Sequence, residues 1–256
     1  MARRRRSNRR RRGHFGVLYK LLSVLAICAA IIAALTLFFR VDTVVITGQE
    51  RYTEQEILDA TGIQTGDNLY LLNKNSVVNN MVAALPYLED IRINRKLPDT
   101  LLIEVRECGT VLAVIQDGSA WYVSPRGKIV EQREAGQATD CGIISGCTLL
   151  APSVGTKLAL ATEYAEQQSS LLDLLAALDA AGMLEQVEGI RLDDPSCIAM
   201  DYTERFTVKM LYGDDYTYKL KALNAALDSG KIQDNMTGTF DMCREDGRTY
   251  FIQNTR

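Results

Sequence analysis

The 256-residue chain has a formal net charge of −3 that conceals two opposed halves, because residues 1–40 carry ten basic residues and no acidic one, whereas residues 41–256 carry nineteen basic against thirty-two acidic. A net −13 over that larger part repels nucleic acid and acidic polymers, so protein contacts are the expected trade. The sole histidine, His14, lies in the basic arm and excludes Ser-His-Asp, Cys-His and His-ligated zinc chemistry from everything after it.

Eight arginines between Arg3 and Arg12 precede nineteen uncharged, mostly apolar residues, Leu21 to Phe39. As a helix, that run covers roughly 28 Å, about the hydrocarbon thickness of a bilayer. The arginines resist translocation, which predicts a cytoplasmic arm over 1–20, a transmembrane helix over 21–39 and an extracytoplasmic remainder. A cleavable signal peptide is the competing reading; it fits less well because Leu35, Leu37, Phe38 and Phe39 continue the apolar run past the alanines. A lipoprotein reading of Cys28 fails on the bulky Ile27 before it and the apolar run after it. The arm reads as a topology signal that attracts anionic lipid rather than as a nucleic-acid tail.

The 216 residues after Arg40 suffice for one or two domains with cores of their own. Val41 to Thr47 is rich in β-branched residues and predicts a strand ending at Gly48. Thr53-Glu54-Gln55-Glu56 is a capping box that opens a helix stopped by Gly62. A second helix is expected from about Ser76 to Ala84, closed by Pro86. Leu88 to Arg95 and Thr100 to Arg106 alternate as strands, with Ile91 and Ile93 on one and Leu101, Ile103 and Val105 on the other facing inward around a Leu97-Pro98-Asp99 turn. Strand, helix, helix, strand, strand makes a small sheet with two helices on one face.

Val44-Val45-Ile46-Thr47-Gly48, the T-x-x-E helix start, Thr61-Gly62-Ile63 with Gly66-Asp67-Asn68-Leu69, Leu85-Pro86-Tyr87-Leu88, and the run Arg95 to Val105 together resemble a polypeptide-transport-associated (POTRA) domain. Directly after a single span, this order resembles the bacterial cell-division family FtsQ, called DivIB in Gram-positive bacteria. Two departures stand out: Glu107-Cys108 replaces the family's usual Glu-Arg, leaving that arginine's salt bridge in doubt, and Ser124-Pro125-Arg126-Gly127 replaces a common Asp-x-x-Gly turn.

The chain after residue 107 predicts a sheet-rich domain over 108–256. Short strands are expected at Val111 to Ile115, Ala120 to Val123 and Lys128 to Val130, with Trp121 and Tyr122 as packing aromatics. A helix follows from Thr162 to Ala181, its stripe of Leu171, Leu174, Leu175 and Leu178 covering the sheet. Strands at Gly189 to Leu192, Cys197 to Tyr202 and Phe206 to Tyr212, a helix from Tyr216 to about Leu227, and two closing strands, Gly238 to Met242 and Thr249 to Ile252 joined at Glu245-Asp246-Gly247, complete the reading. The fold class is thus α+β, with one transmembrane helix, a POTRA-like domain over 41–107 and a sheet domain with flanking helices.

Five cysteines, Cys108, Cys141, Cys147, Cys197 and Cys243, follow the span. A small Cys141–Cys147 loop closure and buried thiols are both open readings. Neither C-x-x-C, S-x-x-K, G-x-S-x-G nor a P-loop occurs. Asp193-Asp194 and Asp214-Asp215 suit turns, although two acids alone can hydrolyse glycosides.

The resemblance implies a scaffold rather than an enzyme, without cofactor, metal or small-molecule ligand. It assembles division-site membrane proteins of the FtsB/DivIC and FtsL type at the septum and so controls cell-wall synthesis there. It further implies that the last strands form the docking edge, which carries partner binding onto Tyr250, Phe251 and Ile252; the bland reading is that these residues face the core. The alternatives are an anchored cell-wall hydrolase using carboxylates, and an export or spore-assembly factor built on the same module.

Overall fold

The computed structural model describes residues 15–139, 141–233, 235–244 and 248–254. Helix α1 (Phe15–Phe38) is one continuous apolar rod, of which Leu18–Thr36 is long and apolar enough to cross a membrane. The basic arm up to His14 lies outside the described residues.

The next 70 or so residues close around one small core. Strand β1 (Thr43–Thr47) runs parallel to β3 (Thr100–Glu107), and β2 (Leu88–Lys96) pairs antiparallel with β3, giving the order β1-β3-β2. Helices α2 (Glu54–Thr61) and α3 (Lys74–Ala84) pack on this sheet through Ile57, Val77 and Met81, against Leu101, Ile103 and Val105. The capping box forms as expected: Thr53 Oγ1 accepts from the Glu56 amide at 3.2 Å, and Glu56 accepts from the Thr53 amide at 2.8 Å. Helix α3 starts two residues before the expected Ser76, because Asn73 Oδ1 accepts from the Asn75 and Ser76 amides. Ile93 is buried and Ile91 half-buried, as the alternation requires. Residue 41 does not join β1: Val41 is buried and pairs instead with the 66–67 backbone, so the strand begins at Thr43.

The remainder forms a nine-stranded sheet in the order β12-β11-β10-β9-β8-β7-β4-β5-β6. Its strands are β4 (Leu112–Gln116), β5 (Ser119–Val123), β6 (Ile129–Glu134), β7 (Gly142–Ser145), β8 (Val187–Arg191), β9 (Cys197–Tyr202), β10 (Phe206–Leu211), β11 (Gly238–Asp241) and β12 (Tyr250–Gln253). Three pairs of neighbours are parallel and need crossovers: α4 (Ala165–Ala181) connects β7 to β8, α5 (Tyr216–Asp228) connects β10 to β11, and β5 with β6 connects β4 to β7. Leu171, Leu174, Leu175 and Leu178 of α4 are all buried in the main core with Leu220 and Leu223 of α5, as the leucine stripe predicts.

Strand β7 corrects the loop-closure reading of Cys141 and Cys147. These cysteines flank an extended four-residue strand paired with β4 on one side and β8 on the other. The strand alone, Gly142–Ser145, rises roughly 10 Å between its end Cα atoms, already more than the 4.4–6.8 Å that a disulfide spans. Among the described residues no disulfide is present.

A shared patch joins the two domains. Tyr87, Cys108, Ala113, Ala120, Tyr122 and Val130 form one buried cluster, and the Tyr87 hydroxyl donates to Glu131 at 2.5 Å. The β2–β3 register slips between Leu88 and Asp90, leaving Glu89 as a bulge residue. Glu89 and Asp90 both reach Arg106, and Asp90 also takes both guanidinium nitrogens of Arg126 at 2.8 Å. Arg126 stands at the tip of the Ser124-Pro125-Arg126-Gly127 turn, closed by the Gly127 amide donating to the Ser124 carbonyl at 2.8 Å. At position 108 no salt bridge is possible, and the ion pairs of this joint come from Arg106 and Arg126. The Cys108 thiol donates to the Thr110 carbonyl at 3.2 Å, and burial pushes its pKa up to about 12, so it stays protonated at this joint.

Hydrogen bonds from Arg126, then Arg106, hold the Asp90 carboxyl at about 2, below its ordinary 3.8. A lowered carboxyl pKa adds stability above the ordinary value and loses it as pH falls through the shifted one. Resistance to denaturant is therefore expected to fall from about pH 4 down to about pH 2 in the native chain, and Asp90→Asn to remove that share of the slope. With side chains 41% and 49% exposed, the Asp90–Arg126 pair contributes at most about 1 kcal/mol at neutral pH.

Candidate docking edge

Strand β12 is the last of the sheet and pairs antiparallel with β11 alone, matching Gly238 to Gln253, Thr239 to Ile252, Phe240 to Phe251 and Asp241 to Tyr250. The period of two sorts the three candidate residues onto opposite faces. Phe251 turns inward, its ring 5.0 Å from Phe240 and 6.0 Å from Phe206, where Phe206 and Phe240 stand 5.3 Å apart. Ile252 is 51% exposed, and Tyr250 on the same face is half-buried beneath the Arg244 guanidinium at 4.2 Å. The structure thus brings all three onto one edge strand, with Phe251 belonging to the core.

Local chemistry fixes this edge. A Cβ on Gly238 would lie 2.4 Å from the Ile252 carbonyl oxygen and 2.8 Å from the Phe251 ring, so only glycine lets β11 approach β12 this closely. Asp241 Oδ1 accepts from the Cys243 amide at 3.1 Å, and its other oxygen pairs with Arg244 at 3.2 Å. The Asn254 amide donates to the Thr237 carbonyl at 2.9 Å and closes the far end of the pair. The expected turn at Glu245-Asp246-Gly247 lies outside the described residues.

The opposite edge of the sheet is guarded differently. The Ile129 amide of β6 donates to Thr156 and its carbonyl accepts from Gly155, each at 2.8 Å, and further along the strand stand Glu131, Arg133 and Glu134. Covered backbone and inward-paired charge blunt an edge, whereas β12 carries Tyr250 and Ile252 and, among the described residues, has no strand beyond it.

Other candidate chemistry resolves into structure. Asp194 Oδ1 accepts from the Ser196 amide at 2.9 Å, and Asp215 caps α5 by accepting from Tyr218 at 3.0 Å. Asp214 accepts from Leu211 at 3.2 Å and pairs with Lys219 at 3.3 Å. These are turn and cap duties; Asp214 and Asp215 also line, with Asp173, a shallow cleft of about 340 Å³ that neither Asp193 nor Asp194 reaches. A cleft of about 730 Å³ opens beside the joint, where Arg51 lies 3.7 Å over the Tyr87 ring and Arg133 lies 4.9 Å over the Tyr122 ring. Among the described residues no three His, Cys, Asp or Glu gather as a metal-ligand set.

Sequence reasoning missed the acidic bulge at Glu89 and Asp90 and its arginine partner 36 residues on. Isolated charges carry no spacing signal; only the Pro125-containing turn marks Arg126 as a tip residue.

Comparison with known proteins bears on the whole arrangement. Residues 39–107 match the family model "POTRA domain, FtsQ-type". The cell division protein DivIB of Clostridium botulinum is 29% identical over 97 residues, 38% of each chain. The cell division protein FtsQ of Geotalea daltonii is 26% identical over 198 residues, 75% of this chain and 68% of that one. The match therefore spans about two fifths of the clostridial relative's length and about two thirds of the other's. The solved extracytoplasmic domain of DivIB from Geobacillus stearothermophilus aligns over 50% of this chain and 98% of its own, with 13% identity and a TM-score of 0.27.

An apolar helix long enough to cross a membrane, leading into an FtsQ-type POTRA domain and a sheet domain, defines an α+β POTRA protein. The chain is similar to the FtsQ and DivIB cell-division proteins.

Proposed function

We propose that this chain is a division-site scaffold. Helix α1 anchors it in the cell membrane with the basic arm inside and both folded domains outside, at the septum. The β12 edge receives a segment of single-span partners of the FtsB/DivIC and FtsL type as an added strand, and assembly of those partners governs septal cell-wall synthesis without chemistry performed by this chain.

The observation that carries this reading is the asymmetry of the two edge strands: β6 is covered at Ile129 and carries Glu131, Arg133 and Glu134 beyond it, while β12 presents open backbone with Tyr250 and Ile252 beside it. An open edge supplies affinity through main-chain hydrogen bonds, and its side chains supply selectivity. Confinement of partners to one membrane raises their effective concentration, so a four-residue edge suffices. A fluorescent fusion of the full chain is expected to form a mid-cell band in dividing cells. Uniform labelling of the envelope throughout the cycle would overturn the division-site reading.

A further inference from the structure

The first residues after α1 do not form a loose tether. The Val41 amide donates to the Asp67 carbonyl at 2.7 Å, the Gly66 amide to Val41 at 2.8 Å and the Leu69 amide to Phe39 at 3.0 Å, with Arg40 bridged antiparallel to Asn68. Asn68 also reaches the helix itself: its Nδ2 donates to the Leu35 and Thr36 carbonyls, each at 3.4 Å, while its Oδ1 accepts from the Tyr70 and Leu71 amides. One side chain thus reaches the Thr36 carbonyl, shares the Leu35 carbonyl with the Phe39 amide in the last turn of α1, and fixes the start of the next loop.

This zipper places Tyr70 and Leu71 beside the end of the helix. The Tyr70 ring meets Phe39 edge-on at 5.0 Å, and Phe39 meets Phe38 at 5.3 Å. Tyr70 is nevertheless 51% exposed and Leu71 78% exposed, the most exposed large apolar side chain described, and Phe38 is 66% exposed. Leu71 in water forfeits the gain of burial, and four apolar or aromatic side chains gathered at the outer end of a span match the belt that membranes hold at their interface. Arg40, exposed at the same level, has the charge and reach suited to headgroup phosphates.

We propose that the loop around Tyr70 and Leu71 is a second membrane contact, inserted in the outer leaflet's headgroup–acyl boundary beside α1. The occupant is the phospholipid surface, because the contact is continuous with the span and carries no paired face of its own. This inference rests on the reading of α1 as a membrane anchor. The contact holds the POTRA domain down on the bilayer and fixes its rotation about the helix axis, which a lone span leaves free.

The test uses the full chain in vesicles of phosphatidylcholine and phosphatidylglycerol, with and without phospholipid brominated on its acyl chains. Trp121, the sole tryptophan, gives the baseline in the native chain. Leu71→Trp adds a reporter in the loop, Ile31→Trp one in the span, and Tyr218→Trp one on the exposed face of α5. Bromolipid is expected to remove most of the added emission from Leu71→Trp and Ile31→Trp, and to leave Tyr218→Trp at baseline. Quenching of Ile31→Trp alone would overturn the loop contact and leave the anchor standing. Absence of quenching at both sites would overturn both.

Discussion

Ile252→Glu is expected to abolish capture of the FtsB/DivIC-type partner while leaving the chain folded, whereas Phe251→Ala is expected to unfold the edge itself. The two residues are adjacent, yet the strand turns them to opposite faces, so their phenotypes should differ in kind. Ile252 is half in solvent and packs on nothing that folding requires, so its replacement should change unfolding free energy by no more than about 0.5 kcal/mol. A glutamate beside the ladder brings a charge into the space a partner strand would dry. The cost of burying it without a counter-ion is several kcal/mol, about a hundredfold or more in affinity. Phe251 is wedged against Phe206 and Phe240, and its loss should cost about 2 kcal/mol, less than a fully enclosed ring because it is only half-buried. Co-purification of the membrane-embedded full chain with the partner, set beside denaturant unfolding of the same samples, separates the outcomes. Undiminished co-purification with Ile252→Glu would remove β12 as the docking strand.

The largest loss of stability is expected at Gly48. Its φ of +87° lies where side chains are strained, and a Cβ there would stand 2.1 Å from the carbonyl oxygen of Val105, in the middle of β3. A backbone atom cannot step aside as a side chain can, so β1 would have to lift from β3 and take Ile46 out of the core. Gly48→Val should lose about 3 kcal/mol or more, and lower the thermal midpoint by about 10 °C. Gly136→Ala provides the control: it has open space around its Cβ position and should be nearly silent. Equal melting curves for the two variants would show that the β1–β3 approach is not the constraint it is described to be.

Much of this fold was legible because its signals are local. The Thr53 to Glu56 box, the Gly62 stop, the leucine stripe of α4 and the alternation of β3 each report a few neighbouring residues, and each lies where expected. Strand β7 was illegible for the opposite reason. It has four residues, and Gly-Ile-Ile-Ser sets its two isoleucines side by side, so no apolar–polar alternation marks it although its burial alternates in the sheet. Its flanking cysteines drew attention to a loop that does not exist. The start of α3 slipped because Asn73 caps through its own amide oxygen without the glutamate that completes a box. The docking edge stood between these cases: two closing strands were readable, but that β12 ends the sheet follows from the parallel placement of β11 beside β10, a long-range fact. The division of labour between Phe251 and Ile252 then needed only the period of two.

The order of strands also sets a schedule. Strand β12 rests on β11, which rests on β10 after the α5 crossover, so nothing upstream can complete the edge. If β12 is the docking strand proposed above, a chain threaded outward from its anchor offers no landing place for companions until that strand has arrived. Copies clipped before Tyr250 are then expected to hold a position in the membrane yet recruit no one.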